Sequence, residues 1–229
     1  MTSKRFKKLS EKTKELKPVF MEKIIPVIKK NCTTKFDESI DLSLQINNKQ
    51  KKSEISLRSV VNMPAGTGKK TKVAVVCEES KFKIAKDAGA DIVGGNDFIE
   101  KIKNGNINFE KLICTPAMMI KLSKLGKILG PKGLMPNPKL GTVTDDLKKA
   151  ITDVKSGQVE IKNDKDGNIG LTLGKKTFSD EKLIQNFNTI LNFFEKEKSN
   201  NILKGDLIKN IYVTSTMGVS YKLKLPKNI

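Results

Sequence analysis

Histidine and tryptophan are absent from this 229-residue chain, and it has only two tyrosines and three cysteines. Without histidine, the Ser-His-Asp and Cys-His proton relays are excluded. Cys32, Cys77 and Cys114 stand far apart and no C-x-x-C pair occurs, which argues against a zinc centre. Buried free thiols in a reducing compartment are expected instead. No apolar run approaches the length of a membrane span. The first residues, Met1 to Lys8, are basic but lack the apolar core of a signal peptide. The expectations are a cytoplasmic location or an equivalent organellar interior, no membrane partner, no metal, no cofactor and no catalytic residue.

Arginine is nearly absent as well. Arg5 and Arg58 are the only two, so the positive charge is almost all lysine. Forty-four Lys+Arg against 25 Asp+Glu leave a net charge of +19 and a pI near 9.7. Such a chain suits a polyanionic partner: RNA, DNA or acidic lipid. Lysine is a compact point charge without the planar fork of arginine. The charge therefore predicts affinity and salt sensitivity, and specificity must come from other residues. A lysine-rich composition also serves solubility, which by itself requires no partner.

Two kinds of strand pattern divide the chain. In "SIDLSLQI" (39–46), Ile40, Leu42, Leu44 and Ile46 face one way and polar residues the other. "EISLRSV" (54–60, with Ile55 and Leu57), "VEIK" (159–162), "IGLTLG" (169–174), "IYVTST" (211–216) and "VSYKLKL" (219–225) alternate likewise. Such strands belong to an antiparallel sheet with one wet face. "NDKDGN" (163–168) lies between two of them and carries an Asp-Gly hairpin signal. In the middle of the chain, "KVAVV" (72–76), "ADIV" (90–93) and "KLIC" (111–114) are apolar without clean alternation, separated by helical segments at 79–89, 96–105 and 116–126. That is the rhythm of a parallel sheet covered on both faces. A helix at 145–157 leads back to the alternating strands. Another at 179–198 puts Leu183, Phe187, Ile190, Leu191 and Phe194 on one stripe, with Ser179 as its N-cap. Pro18 suits a helix start, and Pro26 should kink or break a helix.

The expected fold is therefore α/β with two domains. A discontinuous α+β domain with an antiparallel sheet takes residues 1–66 and 157–229. A three-layer, Rossmann-like α/β domain with a parallel sheet is inserted as residues 67–156. Gly66, Gly68 and Gly157 fall at the two crossings, where free φ and ψ suit a hinge.

Two lysine-bearing stretches are candidates for phosphate contact. "MPAGTGKKTKVAVV" (63–76) resembles a nucleotide-binding loop only superficially. A G-x-x-x-x-G-K-[ST] loop would need glycine where Met63 stands and a hydroxyl where Lys70 stands, and it should lead into a helix rather than a strand. Nucleotide hydrolysis is disfavoured on these grounds, and a flexible connection is the better reading. "GKILGPKGLMPNPKLGTV" (126–143) lies in a window from Glu110 to Asp145 that has no acidic residue between its ends. Its Lys127, Lys132 and Lys139, set among glycine and proline, read either as a basic loop that meets phosphates or as a structural loop closing the sheet.

This stretch also resembles the signature of the ribosomal protein L-one family of bacterial and organellar type, the protein of the mobile side stalk of the large ribosomal subunit. "KFDESIDLSLQI" (35–46), "MPAGTGKKTKVAV" (63–75), "AGADIVGG" (88–95), "NDKDGNI" (163–169) and "NIYVTSTMG" (210–218) are similar to family blocks, in order and across essentially the whole chain. Lys132 stands where arginine is common, and Val219 where a proline often follows Met-Gly. The resemblance implies a non-enzymatic structural constituent of the large subunit, monomeric outside the ribosome. It implies binding of large-subunit rRNA through Lys35, Phe36, Ser39, Asp166, Thr216, Met217 and Gly218. It further implies assistance to the release of exit-site tRNA, and repression of the chain's own mRNA through a leader that imitates the rRNA site. The residue types suit RNA. Hydroxyls meet 2′-OH groups, apolar surface meets sugar and base faces, and glycine allows close approach. A general nucleic-acid-binding protein would draw on the same charge.

Overall fold

Strict apolar–polar alternation over Ser39–Ile46 forms the central strand, β1, of one of two compact units. The computed structural model describes residues 3–13, 17–47, 57–200 and 207–224. The chain divides into Met1–Gly68 with Val159–Ile229, and Lys69–Gln158.

In the first unit, β1 pairs antiparallel with β7 (Asn168–Lys175) on one side and β8 (Ile208–Ser215) on the other, and β9 (Tyr221–Lys222) extends the sheet beyond β8. The register runs from Ser39 opposite Lys175 to Gln45 opposite Asn168, and sets Ile40 opposite Ser215. The inward residues Ile40, Leu42, Leu44 and Ile46 share a core with Ile169, Leu171, Leu173, Ile211 and Val213. Two helices cover it. α2 (Met21–Asn31) contributes Ile24, Ile25 and Ile28, and α8 (Asp180–Asn200) contributes Leu183, Phe187, Ile190, Leu191 and Phe194. Ser179 accepts from the Lys182 amide at the start of α8 (3.4 Å). The outer face of the sheet is tied by polar cross-strand bonds, Thr172 to Asp41 (2.7 Å) and Asn210 to Gln45 (2.9 Å). α1 (Lys4–Thr13) is capped by Ser3, whose hydroxyl accepts from the Phe6 amide, and it buries Leu9 in the same core.

Three expectations change here. β6 (Gln158–Lys162) pairs with β2 (Arg58–Asn62) as a separate two-stranded sheet, so the Asp-Gly turn joins strands of different sheets and not the arms of one hairpin. The turn itself forms, with Gly167 at φ +81 and the Asp164 carboxylate accepting from the Asn168 amide. Of the strand expected at 54–60, residues 54–56 lie outside the described residues, as does Leu225 of the last strand. Pro26 sits inside α2 without breaking it. Both Pro26 and Glu22, whose carbonyl the proline leaves without a partner, face water, which can hydrate it. Pro18 does not start a helix. It precedes Val19, which bridges Leu223.

In the second unit, β3 (Val73–Val76) lies between β4 (Ile92–Gly94) and β5 (Lys111–Cys114), all parallel. All four residues of β3 are buried, and alternate ones serve two cores. Ala74 and Val76 pack with Phe98 and Ile102 of α4 (Asn96–Lys103) and Met118 and Leu122 of α5 (Pro116–Ser123). Val73 and Val75 pack with Ala85 of α3 (Phe82–Asp87) and Leu147, Ile151 and Val154 of α7 (Leu147–Ser156). Helices thus cover both faces, which makes this unit the expected three-layer α/β arrangement. The Gly-Thr-Gly-Lys-Lys run leads into β3, a strand, as a phosphate loop would not.

Candidate RNA-binding surface

At the Ser39 end of β1, three segments distant in sequence meet: the loop 33–38, the end of β7, and the turn after β8. β1 and β8 are closed by Thr216 and Ser39. The Thr216 amide donates to the Ser39 carbonyl (3.0 Å), and the Thr216 hydroxyl accepts from the Ser39 amide (2.9 Å). The Ser39 hydroxyl accepts from Lys175 Nζ (3.0 Å). Phe36 and Met217 project from the two loops and are 53% and 49% exposed, two of the five large apolar side chains this open among the described residues. Lys35 is exposed beside Phe36.

Beneath this corner lies Glu38, a carboxylate with 0% exposure. It accepts from the Thr34 hydroxyl (2.7 Å), the Thr34 amide (3.4 Å) and the Met217 amide (3.2 Å), and the Ser215 hydroxyl also bonds it. Burial works to raise its pKa, but these donors together outweigh burial and hold the carboxyl below its ordinary value. Among the described residues no cation pairs with it. Gly218 owes its identity to the same network, because a Cβ there would collide with the Ser215 hydroxyl. The close approach that demands glycine is thus internal to the protein.

The structure brings together six of the seven expected RNA-binding residues: Lys35, Phe36, Ser39, Thr216, Met217 and Gly218. Asp166 stands apart. It lies in the turn at the Gln45 end of β1, roughly 20 Å away at about 3.4 Å per residue. No lysine bonds it among the described residues. The residues not anticipated are Arg5, Glu38, Lys175, Lys176 and Ser215. Lys175 and Lys176 form a basic doublet at a strand end, but only the antiparallel register shows that they reach Ser39 and Cys32, whose carbonyl accepts from Lys176 Nζ (2.9 Å).

The basic loop of the second unit is ordered by internal bonds. Asn137 accepts from the Lys139 amide (2.9 Å), Thr142 accepts from the Asn137 amide (2.7 Å), and Val143 bridges Cys114 at the edge of β5. Leu129, at the end of the short α6 (Gly126–Leu129), and Leu140 anchor it in the interior, while Lys127, Lys132 and Lys139 are exposed. The loop thus closes the sheet and also presents lysines. Among the described residues, no group of three His, Cys, Asp or Glu side chains could hold a metal ion, and no helix is long and apolar enough to cross a membrane.

Residues 28–219 match the model of the Ribosomal protein L1p/L10e family. The chain is 68% identical over 229 residues to the large ribosomal subunit protein uL1 of Pelagibacter ubique, covering all of both chains. It is 45% identical over 223 residues to uL1 of Mycoplasma capricolum (97% of this chain, 98% of that one), and 44% identical over 223 residues to uL1 of Rickettsia prowazekii (97% and 93%). With the family match spanning most of the chain, this protein belongs to the Ribosomal protein L1p/L10e family.

Proposed function

We propose that this chain is a constituent of the large ribosomal subunit and binds large-subunit rRNA through the corner built by residues 33–39, 175–176 and 215–218. The family is one of ribosomal proteins and not of enzymes. The observation that carries the RNA reading is the pair of half-exposed apolar side chains, Phe36 and Met217, on two loops held by one buried carboxylate and flanked by Lys35 and Lys175. Apolar surface meets bases and sugars, and lysines meet phosphates. On this reading the protein forms the mobile side stalk, assists release of exit-site tRNA and represses translation of its own mRNA. Outside the ribosome it is a monomer. Asp166 would touch RNA only at a second point of contact, and Lys127, Lys132 and Lys139 supply further basic surface.

The hinge belongs to the same proposal, with a shift in its place. Gly66 is held by Asn186, whose amide donates to the Gly66 carbonyl (2.9 Å), and Gly68 packs on Lys175 and Phe178. The hinge then falls at the Gly68–Lys69 junction, because beyond it Lys69 pairs with Glu110 (3.0 Å) and the Lys72 carbonyl accepts from the Glu110 amide (2.9 Å) within the second unit. Gly157 (φ +108) ends α7 as its left-handed cap.

The test is a chemical footprint of the protein on full-length large-subunit rRNA, with competition by duplex DNA of matched length. Protection of one discrete rRNA region, resistant to the DNA, is expected. Equal displacement by either nucleic acid would leave only general nucleic-acid binding.

A further inference from the structure

Met217 is gripped on both sides of its residue by opposite charges. Its amide donates to Glu38 Oε2 (3.2 Å), and its carbonyl accepts from Arg5 Nη2 (2.6 Å). Each of these ions also holds the facing loop. Glu38 Oε1 takes the Thr34 hydroxyl (2.7 Å), and Arg5 Nη1 donates to the Thr33 hydroxyl (2.9 Å). The loop that carries Phe36 and the turn that carries Met217 are therefore cross-linked twice, by a buried carboxylate and by a guanidinium from α1.

We infer that Arg5 and Glu38 are positioning residues that hold Phe36 and Met217 in an RNA-ready arrangement. This rests on the reading of the corner as the rRNA-binding surface. Three features carry it. A carboxylate with no exposure and no cationic partner among the described residues is costly to bury and is retained where its bonds hold something in place. Arg5 is one of only two arginines in a lysine-dominated chain, and it stands where two acceptors must be held at once. The planar guanidinium holds the two in one fixed geometry, whereas an ammonium turns freely on a flexible stem. Two apolar side chains on unclamped loops would lose conformational freedom on binding, whereas the clamp orders them beforehand. α1 thereby acquires a role in recognition without touching RNA itself.

The decisive variant is Arg5→Lys in the full chain, which keeps the charge and removes the fork. Binding to transcribed full-length large-subunit rRNA and to an unrelated RNA of equal length is measured by filter retention across a salt series. Affinity for the rRNA should fall about tenfold, the weight of one charge-assisted hydrogen bond, while the unrelated RNA and the salt slope stay unchanged. Arg58→Lys, the same replacement at the other arginine, should change neither. In Glu38→Gln and Arg5→Lys, amide hydrogen exchange of Met217 should speed up while that of Val213, within β8, does not. Wild-type rRNA affinity in Arg5→Lys, an equal loss on both RNAs, an equal loss in Arg58→Lys, or an unchanged Met217 exchange rate would each overturn the clamp. If the wild-type protein shows no preference for the rRNA, the functional reading fails instead, and the exchange rates alone decide whether the clamp exists.

Discussion

Glu38 reads from the sequence as one more surface acid, yet among the described residues it is the charged side chain that is buried. Its depressed pKa links it to pH. Unfolded glutamate titrates at about 4.3, and the folded group lies below its ordinary value. The stability it confers is therefore complete above the unfolded pKa and is lost as pH falls through the lower folded pKa. Thermal melts from pH 6 to pH 3 should show a steeper acid loss in the wild type than in Glu38→Gln. Thr216 carries a double load, because its hydroxyl accepts from the Ser39 amide. Thr216→Val should weaken rRNA binding by roughly 1–3 kcal/mol at fixed salt and also lower the melting temperature, as an amide loses its partner. An unchanged affinity would remove Thr216 from the interface. Cys32, Cys77 and Cys114 are free and buried, and burial pushes the Cys114 thiol up to about 12. The folded protein should react slowly with Ellman's reagent, and all three thiols should react after denaturation. The low cysteine content and wide spacing already pointed to buried thiols. The burial of Glu38 had no sequence signal, because it depends on donors 4 and 179 positions away.

At the scale of elements, periodicity carried most of the information. β1 spans the same residues, 39–46, as the alternating stretch, and the apolar stripe of α8 is buried as its spacing implied. Phe194 is completely buried, so Phe194→Ala should destabilise the first unit by about 3–5 kcal/mol in a denaturant titration. Partner choice was less legible. The Asp-Gly turn looked like a hairpin, but β6 pairs with β2, and a turn signal reports a local reversal of the chain without saying which strands pair. Gly68 shows the same limit. Its position suggested a hinge, whereas its φ of +75 and a would-be Cβ 2.8 Å from Lys175 and 3.0 Å from Phe178 make it a packing residue of the first unit. Gly68→Ala should cost roughly 1–2 kcal/mol for the left-handed backbone alone, and more if Phe178 cannot move. A substitution without effect on the melt would show that Gly68 is free, as a hinge requires.

For the whole molecule, the lysine excess sets the physics of association. On the proposed reading, log affinity for rRNA should fall linearly with log salt, by roughly 0.7–0.9 for each phosphate contact. A flat titration would argue against a lysine-driven interface. The sequence by itself determined the strong positive charge, the α/β fold class and the insertion of one unit into the other. Charge sums, hydrophobic period and the order of strand types are local or additive properties that survive without coordinates. Only the tertiary structure decided which side chains form the surface. Thr34, Glu38, Lys175 and Met217 meet because an antiparallel register brings the start of β1, the end of β7 and the end of β8 to one corner, α1 adds Arg5 to it, and Asp166 is left out because the same register carries it to the opposite end. Long-range register and burial depend on the packing of the whole unit, so no stretch of sequence holds them alone.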